Sequence, residues 1–182
     1  MQKISSFILR KLGWKVEGIT GYPNKCVLCV APHTSNWDLF IGKLIYSSLG
    51  RKASFLIKKT WFFFPMNLVF NAIGGIPVDR SKKTSLTDQM AHLFATREHF
   101  ELAITPEGTR SGNAEWKKGF YYIALAAKVP IVIVVLDYLK KTADFKAVFT
   151  PTGDVDKDIS DIKSYYKDAH AKHQDRFLLG DE

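Results

Sequence analysis

The stretch Cys26-Val-Leu-Cys-Val-Ala-Pro-His-Thr-Ser-Asn-Trp-Asp38 decides the fold, because an apolar run passes through a short polar loop into a helix start. An unbroken apolar run bounded by a turn is typical of a strand buried on both faces of a parallel sheet. We therefore predict a strand over 26–31 and a helix over 36–49, which Gly50 ends. Open α/β proteins carry their chemistry at such strand–loop–helix connections.

Two polar residues of this connection, His33 and Asp38, are suited to proton transfer. A histidine oriented by a carboxylate can take a proton from a hydroxyl. Five helical steps turn about 140° beyond a full circle, so one straight helix would point the two side chains apart. They can meet only if His33 precedes the helix and Asp38 lies in its first turn. The same residues also fit a capping box with Ser35 as N-cap and Asp38 at N3, which would leave His33 an ordinary loop residue.

Segments with helical and extended patterns alternate on both sides of this stretch. We predict further helices over 2–12, 84–99, 120–128 and 158–177, and further strands over 54–57, 76–78, 102–105, 130–136 and 145–149. This alternation predicts an α/β fold, with a mostly parallel, mixed sheet flanked by helices on both faces. The length of 182 residues fits a single domain, 1–182, in which residues 1–13 form an amphipathic helix suited to membrane contact.

The basic residues are concentrated in the first third of the chain. Residues 1–60 contain ten Lys or Arg against two acidic residues, so they carry the whole formal net charge of +8. This asymmetry favours an anionic partner, either nucleic acid or an anionic membrane surface. No nucleic-acid motif and no platform of interleaved aromatic and basic residues appears, which argues against nucleic acid.

The most aromatic stretch, Trp61–Phe70, directly follows Lys58 and Lys59. One interpretation is that it belongs to the core, where aromatic clusters usually lie. The other is that aromatic residues beside lysines contact a membrane interface or an acyl chain. The residues concerned are Trp61, Phe62, Phe63, Phe64, Met66 and Phe70.

Several patterns indicate what the chain lacks. No apolar run approaches the ~18 residues that span a bilayer, and no signal-peptide pattern opens the sequence, which predicts a cytoplasmic protein. Cys26 and Cys29 lie three apart on a predicted strand and would point to opposite faces, so we expect core residues and no metal site. His170 and His173 fall on the predicted last helix, where a solvated helix face is the expected role.

Two further segments place arginine after a glycine. Thr105-Pro-Glu-Gly-Thr-Arg110 follows a predicted buried strand, and Gly74-Gly-Ile-Pro-Val-Asp-Arg80 follows the aromatic stretch. A simple turn would account for the proline and glycine. Arginine at such a position also suits phosphate, because its planar fork forms paired charge-assisted hydrogen bonds.

Four segments, taken in order, resemble the blocks of the glycerolipid acyltransferase family, whose best-known members are the lysophosphatidic acid acyltransferases. That family has H-x-x-x-x-D, a glycine-led segment ending in arginine, E-G-T-R, and an apolar V-P-[IV] segment. This chain has His33–Asp38, Gly75–Arg80, Glu107–Arg110 and Val129–Ile131 in the same order. The matched region, 27–136, covers over half of the chain.

The resemblance implies that His33 is a general base, that Asp38 orients it, and that an acceptor hydroxyl attacks an acyl thioester directly. It implies a substrate phosphate and headgroup site at Arg80, Glu107, Gly108, Thr109, Arg110 and Lys118. The implied donor is acyl-CoA or acyl carrier protein, and the implied acceptor is a lysophospholipid such as 1-acylglycerol-3-phosphate. Neither a cofactor nor a metal is implied.

Other functions stay open at this point. The acceptor could instead be another lysolipid, such as an aminolipid. Because one base serves either nucleophile, a thioester or lipid hydrolase is an alternative, as is a non-catalytic lipid-binding module of the same fold. The basic first third would hold a peripheral protein on the anionic inner face of the membrane, or dock an acidic carrier protein. Nothing in the sequence specifies an oligomeric state.

Overall fold

A seven-stranded sheet organises the part of the chain that this computed structural model describes, which is residues 1–19, 21–78 and 85–180. The strands are β1 (Lys15–Gly18), β2 (Lys25–Ala31), β3 (Ala53–Lys58), β4 (Gly75–Val78), β5 (Phe100–Ile104), β6 (Ile131–Asp137) and β7 (Thr142–Phe149). The helices are α1 (Gln2–Leu12), α2 (Trp37–Ser48), α3 (Met66–Ala72), α4 (Leu86–Thr96), α5 (Gly119–Ala127) and α6 (Val155–Ser164).

The strand order is β1-β7-β6-β2-β5-β3-β4. The strands β2 to β6 run parallel to one another, β7 runs antiparallel to β6, and β1 runs parallel to β7. The mostly parallel, mixed sheet predicted from the sequence is therefore confirmed. The carboxyl ends of the five mutually parallel strands meet at one edge of the sheet, where a site of this fold class is expected.

Helices cover both faces of the sheet, and alternate residues of β2 contact each layer. Cys26 and Leu28 pack in one core cluster with residues of α1 and α2, whereas Val27 and Cys29 pack in the other with residues of α4, α5 and α6. The two cysteines are fully buried on opposite faces, as the sequence predicts. Burial raises the pKa of each thiol to about 12, so both are inert core residues.

The helix α3 lies on the same face as α1 and α2. The Lys43 ammonium of α2 lies 5.6 Å from the Phe55 ring centroid, and Phe55 pairs in register with Gly75. A Cβ atom built on Gly75 would lie 3.0 Å from the Phe70 carbonyl oxygen of α3, so that helix covers the same side of the two strands. The helix α3 of the aromatic stretch therefore lies on the face that α1 and α2 cover.

The predicted closing helix over 158–177 is wrong, because α6 begins at Val155 and ends at Ser164. The chain turns there so that Tyr166 becomes fully buried and its hydroxyl donates to the Cys29 carbonyl oxygen of β2 at 2.7 Å. A contact with a distant strand therefore overrides the local helical pattern. His170 and His173 consequently do not share a helix face, and His170 Nδ1 lies 3.1 Å from Asp137 Oδ2.

Two smaller differences have the same kind of cause. The helix predicted over 84–99 ends at Thr96, because Arg97 is extended and Phe100 belongs to β5; residue 84 lies outside the described residues. The strand β1 has no apolar pattern that the sequence reading could detect. It forms because Lys15–Gly18 pairs in parallel with the start of β7.

Candidate active site

Three loops meet at the carboxyl edge of the sheet. The first follows β2 and carries His33, the second follows β5 and carries residues 105–111, and the third follows β6 and carries Tyr138. Since β6, β2 and β5 are adjacent and parallel, their ends bring side chains that are far apart in sequence into contact.

His33 and Asp38 form a hydrogen-bonded pair at the centre of this edge. His33 lies before α2 and Asp38 lies in its first turn, which is the arrangement that the five-residue spacing requires. His33 Nδ1 is 3.1 Å from Asp38 Oδ2, and the His33 side chain is 19% exposed whereas that of Asp38 is 4% exposed. With its Nδ1–H donated to the carboxylate, the ring presents Nε2 as its basic nitrogen.

The Asp38 carboxylate also organises the loop that holds His33. Its Oδ2 accepts the backbone N–H groups of Thr34 at 2.8 Å and Ser35 at 2.9 Å. The capping-box interpretation is correct only in that the Asp38 carboxylate accepts the Ser35 backbone N–H. The N-cap of α2 is Asn36, and the Ser35 hydroxyl accepts the backbone N–H of Trp37 instead of that of Asp38. One carboxylate therefore fixes both the loop backbone and the imidazole ring.

These hydrogen bonds keep Asp38 ionised. Burial acts to raise the pKa of the Asp38 carboxyl, but hydrogen bonds from His33, Tyr138 and Ser35 together outweigh it and lower the pKa below its usual value. An ionised carboxylate at this position stabilises the imidazolium that forms when His33 takes a proton.

Glu107 lies behind His33 and not at the mouth of the site. It is 1% exposed, and its two carboxylate oxygens accept the His33 backbone N–H at 2.9 and 3.1 Å. The next residue, Gly108, has a φ of +68°, a left-handed conformation that glycine adopts without strain, and it lines the cleft. The structure thus brings Glu107 to the backbone of the base, whereas the sequence prediction put it in the headgroup site.

Burial raises the pKa of Glu107 to about 7, although the hydrogen bond from the His33 backbone opposes this. An acid whose pKa is raised on folding adds stability below its unfolded value of 4.5, and that stability is lost as the pH rises through 7. The loss amounts to about 3 kcal/mol for a shift of this size.

We therefore expect Glu107→Gln to flatten the dependence of stability on pH. The free energy of unfolding of the wild type should fall relative to that of the variant between pH 4.5 and pH 7, as measured by urea denaturation at several pH values. Glu115→Gln, at an exposed position in the same loop, is the matched control. A constant difference between Glu107→Gln and wild type across this range would contradict the buried, titrating carboxyl.

The His33 ring borders an open cleft of about 390 Å³. The cleft is lined by His33, Thr105, Gly108, Thr109, Arg110 and Ser111. Arg110 is exposed there, and its guanidinium donates a hydrogen bond to Asn36 Oδ1 at the start of α2. A guanidinium beside two hydroxyl groups and a basic ring can hold an anionic group of a ligand next to the base.

Of the other predicted headgroup residues, Lys118 does not line this cleft. Lys118 is exposed and pairs with Asp156 of α6 at 2.5 Å. Arg80 lies outside the described residues. The three that line the cleft are therefore Gly108, Thr109 and Arg110.

The aromatic stretch is a surface feature and not part of the core, because no residue of 59–74 is buried. Trp61, Phe63 and Phe64 are exposed, the last by 79%. Phe62, Met66 and Phe70 are half-buried, with the ring centroids of Phe62 and Phe70 5.5 Å apart. The stretch therefore does not belong to the core, and its contact with a membrane interface or an acyl chain stays a prediction.

Tyr138 is a site residue that the sequence reading missed. Its hydroxyl donates to Asp38 Oδ1 at 2.5 Å. The signal that could have identified it is its position two residues after the apolar strand predicted over 130–136, at the same sheet edge as His33 and Arg110.

Two features are absent from the described residues 1–19, 21–78 and 85–180. No helix in these ranges is both long enough and apolar enough to cross a bilayer. Within the same ranges, no three His, Cys, Asp or Glu side chains come together as metal ligands would.

Comparison with known proteins gives consistent relatives. Residues 13–137 match the acyltransferase family model. Over 99 residues the chain is 33% identical to human 1-acyl-sn-glycerol-3-phosphate acyltransferase beta. The aligned region covers 52% of this chain and 36% of the human protein. Over 130 residues it is 30% identical to the 1-acyl-sn-glycerol-3-phosphate acyltransferase of Saccharomyces cerevisiae, covering 67% of this chain and 42% of the yeast protein. The chain thus spans about two fifths of the length of these curated relatives.

A solved structure shares the fold. It is the crystal structure of the 1-acyl-sn-glycerophosphate acyltransferase PlsC from Thermotoga maritima, which superposes with a TM-score of 0.59 at 17% sequence identity. The match covers 94% of this chain and 80% of the bacterial protein.

Proposed function

This chain belongs to the acyltransferase family, and from that premise we propose that it moves a fatty acyl group from a thioester to the hydroxyl of a lysophospholipid such as 1-acylglycerol-3-phosphate. The observation that carries the proposal is the His33–Asp38 pair at the edge of a cleft that Arg110 borders. The curated relatives in human and yeast, named as 1-acyl-sn-glycerol-3-phosphate acyltransferases, support the choice of acceptor.

In the proposed reaction, His33 Nε2 removes the proton from the acceptor hydroxyl as its oxygen attacks the thioester carbonyl carbon. A carbon–oxygen bond forms, the carbon–sulfur bond breaks, and the imidazolium returns its proton to the departing thiolate. Asp38 stabilises the imidazolium between these two steps. No covalent acyl-enzyme is needed, because the acceptor itself is the nucleophile.

Arg110 is the proposed contact for the acceptor phosphate. Its guanidinium is exposed at the cleft, and the hydroxyl-bearing residues Thr109 and Ser111 lie beside it. Glu107 is better assigned to holding the His33 backbone, since an ionised carboxylate in the cleft would repel a phosphate. Arg80 and Lys118 remain predictions for the same role.

A product assay with a panel of acceptors tests this proposal. The purified chain is incubated with a labelled acyl-CoA or acyl carrier protein thioester and with 1-acylglycerol-3-phosphate, a lyso-aminolipid or monoacylglycerol, and products are identified by mass spectrometry. We expect acylated product, with the phosphorylated acceptor preferred. Free fatty acid as the sole product would indicate a hydrolase. Binding of the lysolipid with neither product would indicate a lipid-binding module.

The face formed by α1, α2 and α3 is the proposed membrane-contacting surface, hereafter the α1–α3 face. It exposes the apolar side chains of Ile4, Phe7, Trp37, Phe40, Trp61, Phe63, Phe64 and Leu68. Residues 1–60, which include α1 and α2, carry the whole net charge of +8. Apolar insertion together with attraction to anionic lipid suits a peripheral protein on the inner face of the membrane, at about 1 kcal/mol per well-placed basic residue.

Removing two aromatic rings from this face should weaken vesicle binding. We expect the double variant Phe63→Ser/Phe64→Ser to lower partitioning onto phosphatidylglycerol-containing vesicles by about 100-fold or more, because each of the two buried rings contributes about 1.5–3 kcal/mol. Flotation at low and high salt measures this. Leu125→Ser, an exposed residue of α5 on the opposite face, is the control. Vesicle binding that does not change with salt, with lipid charge or with the double substitution would contradict the proposal that the α1–α3 face contacts the membrane.

A further inference from the structure

We propose that Tyr138 is a positioning residue for proton transfer, whose hydroxyl holds the Asp38 carboxylate in the orientation that keeps its other oxygen on the His33 ring. The inference rests on the proposed function, because it takes His33 to be the base. It assigns a chemical role to the residue that follows β6. None of the four sequence blocks includes a polar residue at that end of the strand.

The two carboxylate oxygens of Asp38 have different donors. Oδ1 accepts from the Tyr138 hydroxyl at 2.5 Å, and Oδ2 accepts from the His33 ring at 3.1 Å as well as from two backbone N–H groups. A carboxylate torsion has a broad, nearly two-fold profile, so an aspartate held at one oxygen can rotate. Donors at both oxygens fix the plane of the carboxylate and therefore the direction in which it meets the imidazole.

Tyr138 is itself held in place by the chain around it. Its ring packs edge-on against Trp14, with centroids 5.1 Å apart and an angle of 89° between the planes. Its backbone N–H donates to the His170 carbonyl oxygen at 2.8 Å. These contacts involve the ring and the backbone and not the hydroxyl, so a phenylalanine at this position would keep them.

The hydroxyl is also suited chemically to remain a donor. Burial and the adjacent Asp38 carboxylate raise the pKa of Tyr138 well above its usual value, so the phenol keeps its proton wherever the enzyme could work. A donor on Oδ1 spreads the negative charge of the carboxylate and lowers its basicity. Asp38 then orients the imidazolium without taking its proton.

The other titratable groups described near the pair have hydrogen-bond partners other than the Tyr138 hydroxyl. Glu107 accepts the His33 backbone N–H from the loop after β5, and Arg110, which lines the same cleft as His33, donates to Asn36. Asp137 pairs with His170 beside the backbone of Tyr138. A difference in pH profile between wild type and a Tyr138 variant can therefore be attributed to the hydroxyl.

The test is Tyr138→Phe, with Tyr165→Phe as the control because Tyr165 is 40% exposed at the end of α6. For Tyr138→Phe we expect kcat to fall about 10-fold, as for loss of a charge-assisted hydrogen bond, with KM for both substrates within about two-fold of wild type. The acid limb of the kcat/KM profile should move to higher pH, since a carboxylate with one donor fewer stabilises the imidazolium more strongly. Tm should stay close to that of wild type, and Tyr165→Phe should match wild type throughout.

Wild-type kcat and an unmoved acid limb in Tyr138→Phe would overturn the inference, as would a loss of activity fully accounted for by a lower Tm. Failure of the proposed function gives a different pattern. In that case the wild type itself would give only free fatty acid or no product at all, whatever the behaviour of Tyr138→Phe.

Discussion

Replacing His33 with alanine is expected to lower kcat for acyl transfer by about 1,000-fold or more, the upper part of the range for a general base that also returns the proton to the leaving group. The imidazole is the basic group that borders the cleft beside Arg110, and the acceptor oxygen is a poor nucleophile while it keeps its proton. Arg110 and the cleft hydroxyls would still bind the acceptor, so KM should change little.

Acylated product measured by mass spectrometry at saturating substrate reports this loss. The imidazole of His33 is 19% exposed and makes one hydrogen bond, so its removal should leave Tm within a few degrees of wild type. His92→Ala, at an exposed position on α4, removes a histidine from outside the site and should retain full activity. Acyl transfer by His33→Ala at the wild-type rate would contradict the proposed role of His33 as general base.

Replacing Asp38 with asparagine should have the second largest effect, a decrease in kcat of about 1,000-fold. The amide has nearly the shape of the carboxylate, and its oxygen can still accept the backbone N–H groups of Thr34 and Ser35. What disappears is the negative charge 3.1 Å from the His33 ring, which stabilises the imidazolium. The loss should therefore appear in kcat and not in binding of the acceptor.

Thermal unfolding separates this effect from damage to the loop. We expect Asp38→Asn to fold with a Tm near that of wild type, whereas Asp38→Ala should lower Tm because it leaves two loop N–H groups without their acceptor. Asp161→Asn changes an exposed aspartate of α6 and should leave kcat unchanged. Asp38→Asn with wild-type kcat would show that the carboxylate serves only as a helix-start acceptor.

Local patterns predicted the elements that are long and strongly apolar or strongly amphipathic. The helix α1 has the predicted bounds, and the predicted strands 26–31 and 130–136 differ from β2 and β6 by one residue at each affected end. The predicted secondary structure was wrong where a contact with a distant part of the chain decided the local structure. Tyr166 ends α6 by reaching the Cys29 carbonyl, and β1 exists through its pairing with β7.

The candidate site divides in the same way. The five-residue spacing of His33 and Asp38 required a loop followed by a helix, and the structure has that arrangement. The place of Glu107 was not predictable, because its carboxylate meets a backbone group 74 residues earlier in the chain. Nor was the contact of Tyr138 with Asp38, which joins residues 100 apart.

The sequence by itself determined the α/β class, the position of the His33–Asp38 pair and the concentration of positive charge in the first third. These follow from periodicity, spacing and composition, which act over a few residues or need no structure at all. Only the tertiary structure decided that Glu107 accepts the His33 backbone N–H, that Tyr138 reaches Asp38, and that the aromatic stretch lies exposed. The reason is physical: the order of parallel strands sets which loops meet, and that order forms only when the whole sheet does.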